Sequence, residues 1–250
     1  MKKALFKYIK LHIVNLFHFW FYDVKRLPVG THFFYFLKYR VQFDIKTVFD
    51  VGANVGGFTN QILKIYSKSE NHCFEPIKGT FEILKRNLGT NSNVILNQIA
   101  IGDLVQNLSI RINEPNRADI NSLVLENQPK NSLLIEDIEV NTLDNYIESC
   151  NIKSVDLLKI DTEGYDLNVL KGSNKNLSLG IFKLIYVECG LDKSNTRHVH
   201  LSSFIEYLSN YDYIFVGLFQ TDIRKIDRKI HFSNALFIHN SFSTLIKTFL

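Results

Sequence analysis

Apolar and mixed stretches alternate from residue 47 onward and predict strands separated by helices. Strands are predicted over 47–51, 71–75, 94–101, 154–160 and 181–187. Amphipathic helices are predicted over 56–67, 77–88, 142–150, 164–172 and 197–210. Because strands separated by helices pair in parallel through right-handed crossovers, this order predicts a doubly wound α/β sheet. The last two apolar segments, 213–219 and 234–239, have only a charged loop between them and predict an antiparallel hairpin.

Two further segments interrupt the plain alternation of strand and helix. The patterns over 107–112 and 136–140 predict short strands, and a polar, Asn-rich loop over 113–132 lies between them. We interpret the pair as an inserted hairpin or edge ribbon, so that the main sheet is mostly parallel and has seven strands.

The N-terminal segment has a different character from the rest of the chain. An apolar stripe at helical spacing predicts a helix over 3–22, and Lys and Arg outnumber Asp and Glu up to residue 46. We therefore divide the chain into a basic, aromatic helical extension (1–44) and an α/β domain (45–250). The extension could pack on the domain, form a homodimer surface, or contact an anionic membrane through residues 1–25. Nucleic acid is not an expected partner, because the domain is near neutral and has no RNA- or DNA-binding signature.

A glycine-rich turn follows the first predicted strand, in the sequence TVFDVGANVGGFT from Thr47 to Thr59. Such a turn allows close approach of the backbone, because glycine has no Cβ and tolerates positive φ. Asp50 would repel the pyrophosphate of a dinucleotide, whereas S-adenosylmethionine has no phosphate and carries a cationic sulfonium. The predicted donor-binding residues of this turn are Asp50, Gly52, Asn54, Gly56 and Phe58.

Further acids follow the next predicted strands. Glu75 ends the second strand about 20 residues after the glycine turn, the spacing at which an acid accepts hydrogen bonds from ribose hydroxyls. Asp103 follows the third strand and is predicted to meet the adenine amino group; the alternative is an acid that only caps a turn. Phe74 and Ile101 are candidates to enclose the adenine, or plain core residues. These side chains should converge at one edge of the sheet.

The acids around the fourth and fifth strands are the candidates for chemistry. Strand four should adjoin strand one, so Asp161 is also predicted to lie near the sulfonium of the donor. Transfer of the donor's methyl group is an in-line displacement that gains from a positioned base for the acceptor, and Asp161 or Glu188 could be that base. Glu163 could share this role or act as an N-terminal acid of the following helix. These three carboxylates could instead hold a divalent cation, but we favour the interpretation in which the site has no metal. His198 and His200 lie in a polar loop after the fifth strand. They could be part of a metal site or supply a base, but we favour a structural role for them.

The motifs together resemble the FkbM-type methyltransferases. The resemblance covers residues 45–240 and rests on TVFDVGANVGGFT, CFEPIKGTFEILKRNL, VNTLDNYIE, VDLLKIDTEGYDLNVLKGS and IYVECG. It implies a class I, Rossmann-like fold, S-adenosylmethionine as methyl donor, and O-methylation of a sugar, glycan precursor or related small molecule. The alternatives are a lipid-linked or amine acceptor, and a silent donor-binding domain that serves as an assembly partner.

The cysteines and the hydropathy suggest a compartment. Three cysteines are present, with no metal or CxxC spacing, and they are interpreted as reduced thiols. No run of 18 apolar residues and no signal-peptide cleavage pattern is found. We therefore expect a cytoplasmic protein, with the inner membrane face as a peripheral location if residues 1–25 bind lipid.

Overall fold

A computed structural model describes residues 30, 32–112, 123–124, 134–192, 194–223 and 230–246. The predicted helix over 3–22 and nearly all of the predicted loop over 113–132 lie outside these residues. Among the helices of the described residues, none is both long and apolar enough to cross a membrane.

The described elements follow the predicted alternation. The strands are β1 (Thr47–Val51), β2 (Glu70–Phe74), β3 (Val94–Asn97), β4 (Ala100–Ile101), β5 (Gln106–Arg111), β6 (Ile135–Asn141), β7 (Val155–Ile160), β8 (Phe182–Gly190), β9 (Tyr213–Ile223) and β10 (Ile230–His239). The helices are α1 (Phe33–Arg40), α2 (Gly57–Ile65), α3 (Lys78–Leu88), α4 (Leu143–Ser149), α5 (Asp166–Lys171), α6 (Asn174–Ser178) and α7 (Leu201–Ser209). A 3₁₀-helix, Asn240–Leu245, follows β10.

The main sheet has seven strands in the order β3-β2-β1-β7-β8-β10-β9. All pairs from β3 to β8 are parallel, whereas β10 pairs antiparallel with both β8 and β9. This order confirms the predicted doubly wound sheet with a C-terminal antiparallel hairpin. The chain reverses its direction of winding between β1 and β7, and ligands of such sheets bind at that point, beyond the carboxyl ends of the strands.

A second, three-stranded sheet has the order β4-β6-β5. The pair β5 and β6 is antiparallel and confirms the predicted inserted hairpin. The single strand predicted over 94–101 is wrong as one element, because the chain leaves the main sheet after Asn97 and β4 pairs in parallel with β6. The insertion therefore extends from the edge of the sheet where β3 ends.

Side chains on the two faces of the main sheet enter two separate apolar cores. On β1, Phe49 and Val51 pack with residues of α4 to α7, whereas Val48 packs with residues of α1 and α2. This division follows from the two-residue period of a strand, which points alternate side chains to opposite faces. The same alternation places Asp50 on the face of Val48, toward α1 and α2.

The aromatic segment before β1 is part of the second core. Helix α1 buries Phe33, and the ring of Phe33 stacks on that of Tyr186 with a centroid distance of 3.7 Å. Val41, just after the helix, forms an isolated bridge with Ile246. Residues 33–41, which the sequence assigns to the extension, thus pack on the α/β domain; residues 1–29 are outside the described part.

Candidate functional site

A cavity of about 240 Å³ opens at the carboxyl edge of β1, β2, β7 and β8. Four predicted site acids line it: Glu75, Asp161, Glu163 and Glu188. Gly52 and Asn54 of the glycine turn also line it, as do Phe74 and Ile101. The structure therefore brings together acids at or near the carboxyl ends of β2, β7 and β8, as doubly wound topology predicts.

Another part of the cavity lining is apolar. It is formed by Phe74 of β2, by Ile101 of β4 and by four further residues: Ile77, Ile99, Ile110 and Leu123. Ile110 belongs to the inserted sheet, so the insertion supplies part of this wall. A cavity lined by both acids and apolar side chains suits a ligand that has both an apolar ring and charged groups.

Glu75 is held in place by the backbone around it. Its Oε2 accepts a hydrogen bond from the N–H of Asn54 at 3.1 Å, and its Oε1 accepts one from the N–H of Ile77 at 3.0 Å. Burial raises the pKa of Glu75 to about 7, although the two N–H groups oppose the shift. Each carboxylate oxygen keeps a further lone pair for a ligand hydroxyl.

Two glycines of the turn, Gly52 and Gly56, are required by the packing of the protein itself. Gly52 has φ +73°, and a Cβ added there would lie 1.9 Å from the carbonyl oxygen of Asp161. Gly56 has φ +88°, and its Cβ would lie 2.6 Å from a methyl group of Leu88 in α3. The sequence suggested that glycine lets the backbone approach a ligand, whereas here the close approach is to β7 and α3.

Asp50 does not line the cavity. It is fully buried, accepts a hydrogen bond from Oγ1 of Thr59 at 2.7 Å, and has its Oδ1 2.9 Å from Nζ of Lys159. The two residues are neighbours in register on β1 and β7, so both point toward α1 and α2. Lys159 also donates to the carbonyl of Gly52 at 2.7 Å. This position differs from the one expected for a residue that contacts the donor's amino group.

Lys159 carries a stable positive charge in this buried place. Burial opposes its charge, but the carboxylates of Asp50 and Asp161 outweigh burial and raise the pKa of the ammonium group. Asp161 Oδ2 lies 3.6 Å from Nζ. Lys159 therefore balances the charge of Asp50 and ties the glycine turn to β7, a role that the sequence analysis did not assign.

Three other predicted donor-binding residues also lie outside the cavity wall. Asp103 accepts hydrogen bonds from the hydroxyl of Tyr165 at 3.2 Å and from the amide of Asn168 at 3.1 Å, so it joins the β4–β5 turn to α5. Phe58 packs with the second core, where its ring stacks near Tyr186. With Gly56 at the start of α2, these contacts agree with structural roles.

The turn between β7 and α5 is shaped by Asp166. This buried carboxylate accepts hydrogen bonds from the N–H groups of Thr162 and Gly164, both at 3.0 Å, and it is the acid in the first turn of α5. Glu163 has φ +55°, a conformation that is costly for a residue with a side chain. Glu163 thus lies before the helix and faces the cavity, so the helix-terminal acid is Asp166 and not Glu163.

Beyond β8, the loop after the strand returns to the site. His198 Nε2 lies 3.2 Å from Glu188 Oε2 and 4.0 Å from Glu163 Oε2. Arg197 contacts the same Glu163 oxygen through Nη2 at 2.6 Å and Nε at 2.8 Å. Burial, with the neighbouring charge of Asp161, raises the pKa of Glu188 well above its usual range. Burial also raises the pKa of Glu163, to about 7.

His198 is buried, and burial lowers its pKa. His200 stands apart from this group, because its side chain caps the start of α7 by accepting from the N–H of Ser202. Only His198 of the histidine pair thus faces the acids. Arg197 and Lys159 were missed from the sequence, although Lys159 sits within the same KIDTEG motif as Asp161.

Comparison with known proteins agrees with this architecture. A family model described as the methyltransferase FkbM domain matches residues 50–215. Methyltransferase 1 of Beauveria bassiana is 28% identical over 146 residues, which cover 52% of this chain and 59% of the relative. The 2-O-methyltransferase NoeI of Sinorhizobium fredii is 23% identical over 181 residues, which cover 67% of this chain and 72% of that protein.

The solved structure of a methyltransferase FkbM from Methylobacillus flagellatus has the same fold, with a TM-score of 0.50 and 16% identity. That match covers 78% of this chain and 43% of the solved chain, so this chain spans less than half of that protein's length. The family match includes the glycine turn, Glu75, the KIDTEG motif and Glu188. The chain therefore belongs to the FkbM methyltransferase family.

Proposed function

We propose that this protein transfers a methyl group from S-adenosylmethionine to a hydroxyl of a sugar, a glycan precursor or a related small molecule. The observation that carries the proposal is the cavity at the switch point of the sheet, which is lined by four acids and by apolar residues of β2, β4 and the inserted sheet. The family match supports methyl transfer in general. One relative is named a 2-O-methyltransferase, which supports a hydroxyl acceptor.

The donor is argued from the charge and shape of the cavity. Glu75 offers two fixed carboxylate oxygens for ribose hydroxyls, and Phe74 and Ile101 offer apolar surface for adenine. Because Lys159 balances Asp50 and Arg197 balances Glu163, the acids that disfavour a diphosphate are Asp161 and Glu188 in the cavity wall. The same carboxylates suit the sulfonium and amino group of S-adenosylmethionine.

Asp161 is our choice for the base. Its side chain is 40% exposed and lines the cavity beside Gly52, so an acceptor hydroxyl can reach it. In the transfer, the bond from sulfur to the methyl carbon breaks, the acceptor oxygen bonds to that carbon, and the hydroxyl proton passes to the carboxylate. Glu188 and Glu163 border the same space and orient the acceptor. This division of roles is a proposal that rests on placement and exposure.

The location and partners are also proposals. Cys73, Cys150 and Cys189 are all free, which supports a reducing, cytoplasmic compartment. Contact of residues 1–25 with a membrane, and a homodimer, remain predictions on residues that the structure does not describe.

The proposal is tested by incubating the protein with S-adenosylmethionine and a panel of mono- and oligosaccharides. Formation of S-adenosylhomocysteine together with a methylated sugar, detected by mass spectrometry, is the expected result. Asp161→Asn should slow transfer by about 100-fold while the donor still binds, the usual contribution of a positioned base. Asp212→Asn, at an exposed position on β9's entry turn, is the matched control. Donor binding without transfer to any hydroxyl would overturn the acceptor class.

A further inference from the structure

We propose that Glu163, Glu188 and His198 form a binding site for one divalent transition-metal ion beside the donor cavity. Each of the three side chains offers one ligand atom, and these atoms all lie within 4.8 Å of one another. A metal with bonds of about 2.1 Å separates its ligand atoms by roughly 3 to 4.2 Å, according to the angle between them. The two distances from His198 Nε2, 3.2 Å to Glu188 and 4.0 Å to Glu163, fall in this range.

A second observation at Glu188 points independently to a missing partner. Oε2 of Glu188 is buried and accepts no hydrogen bond. The side chain is only 9% exposed, and the residue lines the cavity. A buried carboxylate oxygen without a partner is costly, and native structures usually supply a proton donor or a cation. The imidazole of His198 lies close to this oxygen but outside hydrogen-bond geometry. A cation between the three groups would satisfy Oε2 directly.

The surroundings hold the ligands in place. Asn195 Oδ1 lies 3.3 Å from Nδ1 of His198 and can accept the proton of Nδ1, which leaves the Nε2 lone pair facing the two carboxylates. Arg197 donates to Oε2 of Glu163 through Nη2 and Nε and so holds that carboxylate in place. Hydrogen bonds to metal ligands orient them and strengthen binding. Because Glu163 and Glu188 line the cavity, an ion has a path of entry from solvent.

The ligand set selects the class of metal. Two carboxylates with one imidazole suit Mn²⁺ or Zn²⁺ better than Ca²⁺, which prefers a shell of oxygen atoms alone. Glu188 also lies near the negatively charged Asp161 and Asp166, which favour a cation at this place. If the proposed function holds, an ion at this site would contact the acceptor hydroxyl and make its proton more acidic.

The test measures metal binding without donor or acceptor, so it does not depend on the methyl-transfer proposal. The full chain is stripped with EDTA, dialysed and titrated with Mn²⁺, Zn²⁺ or Ca²⁺ in a calorimeter. We expect one equivalent of Mn²⁺ or Zn²⁺ to bind, and Ca²⁺ to bind more weakly. Glu188→Gln and His198→Gln should each weaken Mn²⁺ binding by about tenfold or more, whereas Glu206→Gln and His200→Gln should not. No binding, or equal binding by all four variants, would overturn the site.

A measurement on the unmodified protein keeps the proposal testable if a variant fails to fold. Pulsed electron paramagnetic resonance of the Mn²⁺-loaded chain should show coupling to one imidazole ¹⁴N nucleus. Bound Mn²⁺ without nitrogen coupling would exclude His198 as a ligand and refute the proposed site.

Discussion

Replacing Lys159 by Met should destabilise the fold through Asp50. Lys159→Met keeps most of the apolar volume of the side chain but leaves the fully buried Asp50 carboxylate without its cation. Removing one partner of a buried ion pair costs about 3–5 kcal/mol, because the other charge stays uncompensated. The loss of the hydrogen bond to the carbonyl of Gly52 acts in the same direction. We therefore expect the free energy of unfolding to fall by about 3–5 kcal/mol.

A double-mutant cycle separates charge from packing. Asp50→Asn together with Lys159→Met removes both charges, so the double variant should be more stable than the sum of the single effects by about 2 kcal/mol or more. Urea unfolding of the full chain, followed by circular dichroism, measures all variants. Lys64→Met, at an exposed position of α2, is the control and should change stability little. A Lys159→Met variant within about 1 kcal/mol of wild type, or strictly additive single effects, would refute the reasoning.

Three further changes have expected outcomes. Gly52→Ala should lower the free energy of unfolding by about 3 kcal/mol or more, since its Cβ would meet the Asp161 carbonyl; a fully stable variant in urea would contradict this. Phe33→Ala should lower the free energy of unfolding by about 3–5 kcal/mol, because it removes the ring that stacks on Tyr186. A smaller fall in melting temperature than that of Tyr35→Ala would contradict this prediction. Glu188→Gln should stabilise the metal-free chain at pH 8 and less so at pH 5. Because the pKa of Glu188 is raised in the folded protein, the wild type loses stability as the pH rises above the pKa of this carboxyl in the unfolded chain. A difference in unfolding free energy between variant and wild type that is the same at pH 5 and pH 8 would contradict this prediction.

The order of strands and helices was predictable because it depends on local patterns of apolar residues. The break between β3 and β4 was not predicted, because 94–101 is apolar except for Asn97 and Gln98, and the division into two strands depends on the pairing of β4 with β6. Helix α1 was also missed, since its aromatic residues face both the core and solvent and leave no clear period.

The sequence predicted the position of a site residue well where its side chain lies at the carboxyl end of a strand. It predicted the position less well where that position depends on pairing between strands. Glu75 and Asp161 line the cavity because each directly follows a parallel strand, and Glu188 lines it because it comes just after the last β8 residue that pairs with β7. The contact of Asp50 with Lys159 depends on the register of β1 against β7, which single-strand patterns do not reveal. The approach of His198 to Glu188 depends on the path of a loop, and no spacing in the sequence encodes that path.

The most direct test of the account is calorimetric titration of the full chain with S-adenosylhomocysteine and, separately, with NAD⁺. We predict one bound S-adenosylhomocysteine and no bound NAD⁺. Glu75→Gln should weaken binding by about tenfold or more, the value of a charge-assisted hydrogen bond, while the exposed Glu82→Gln leaves it unchanged. Tight NAD⁺ binding without S-adenosylhomocysteine binding, or equal affinities for the wild type and Glu75→Gln, would contradict the account.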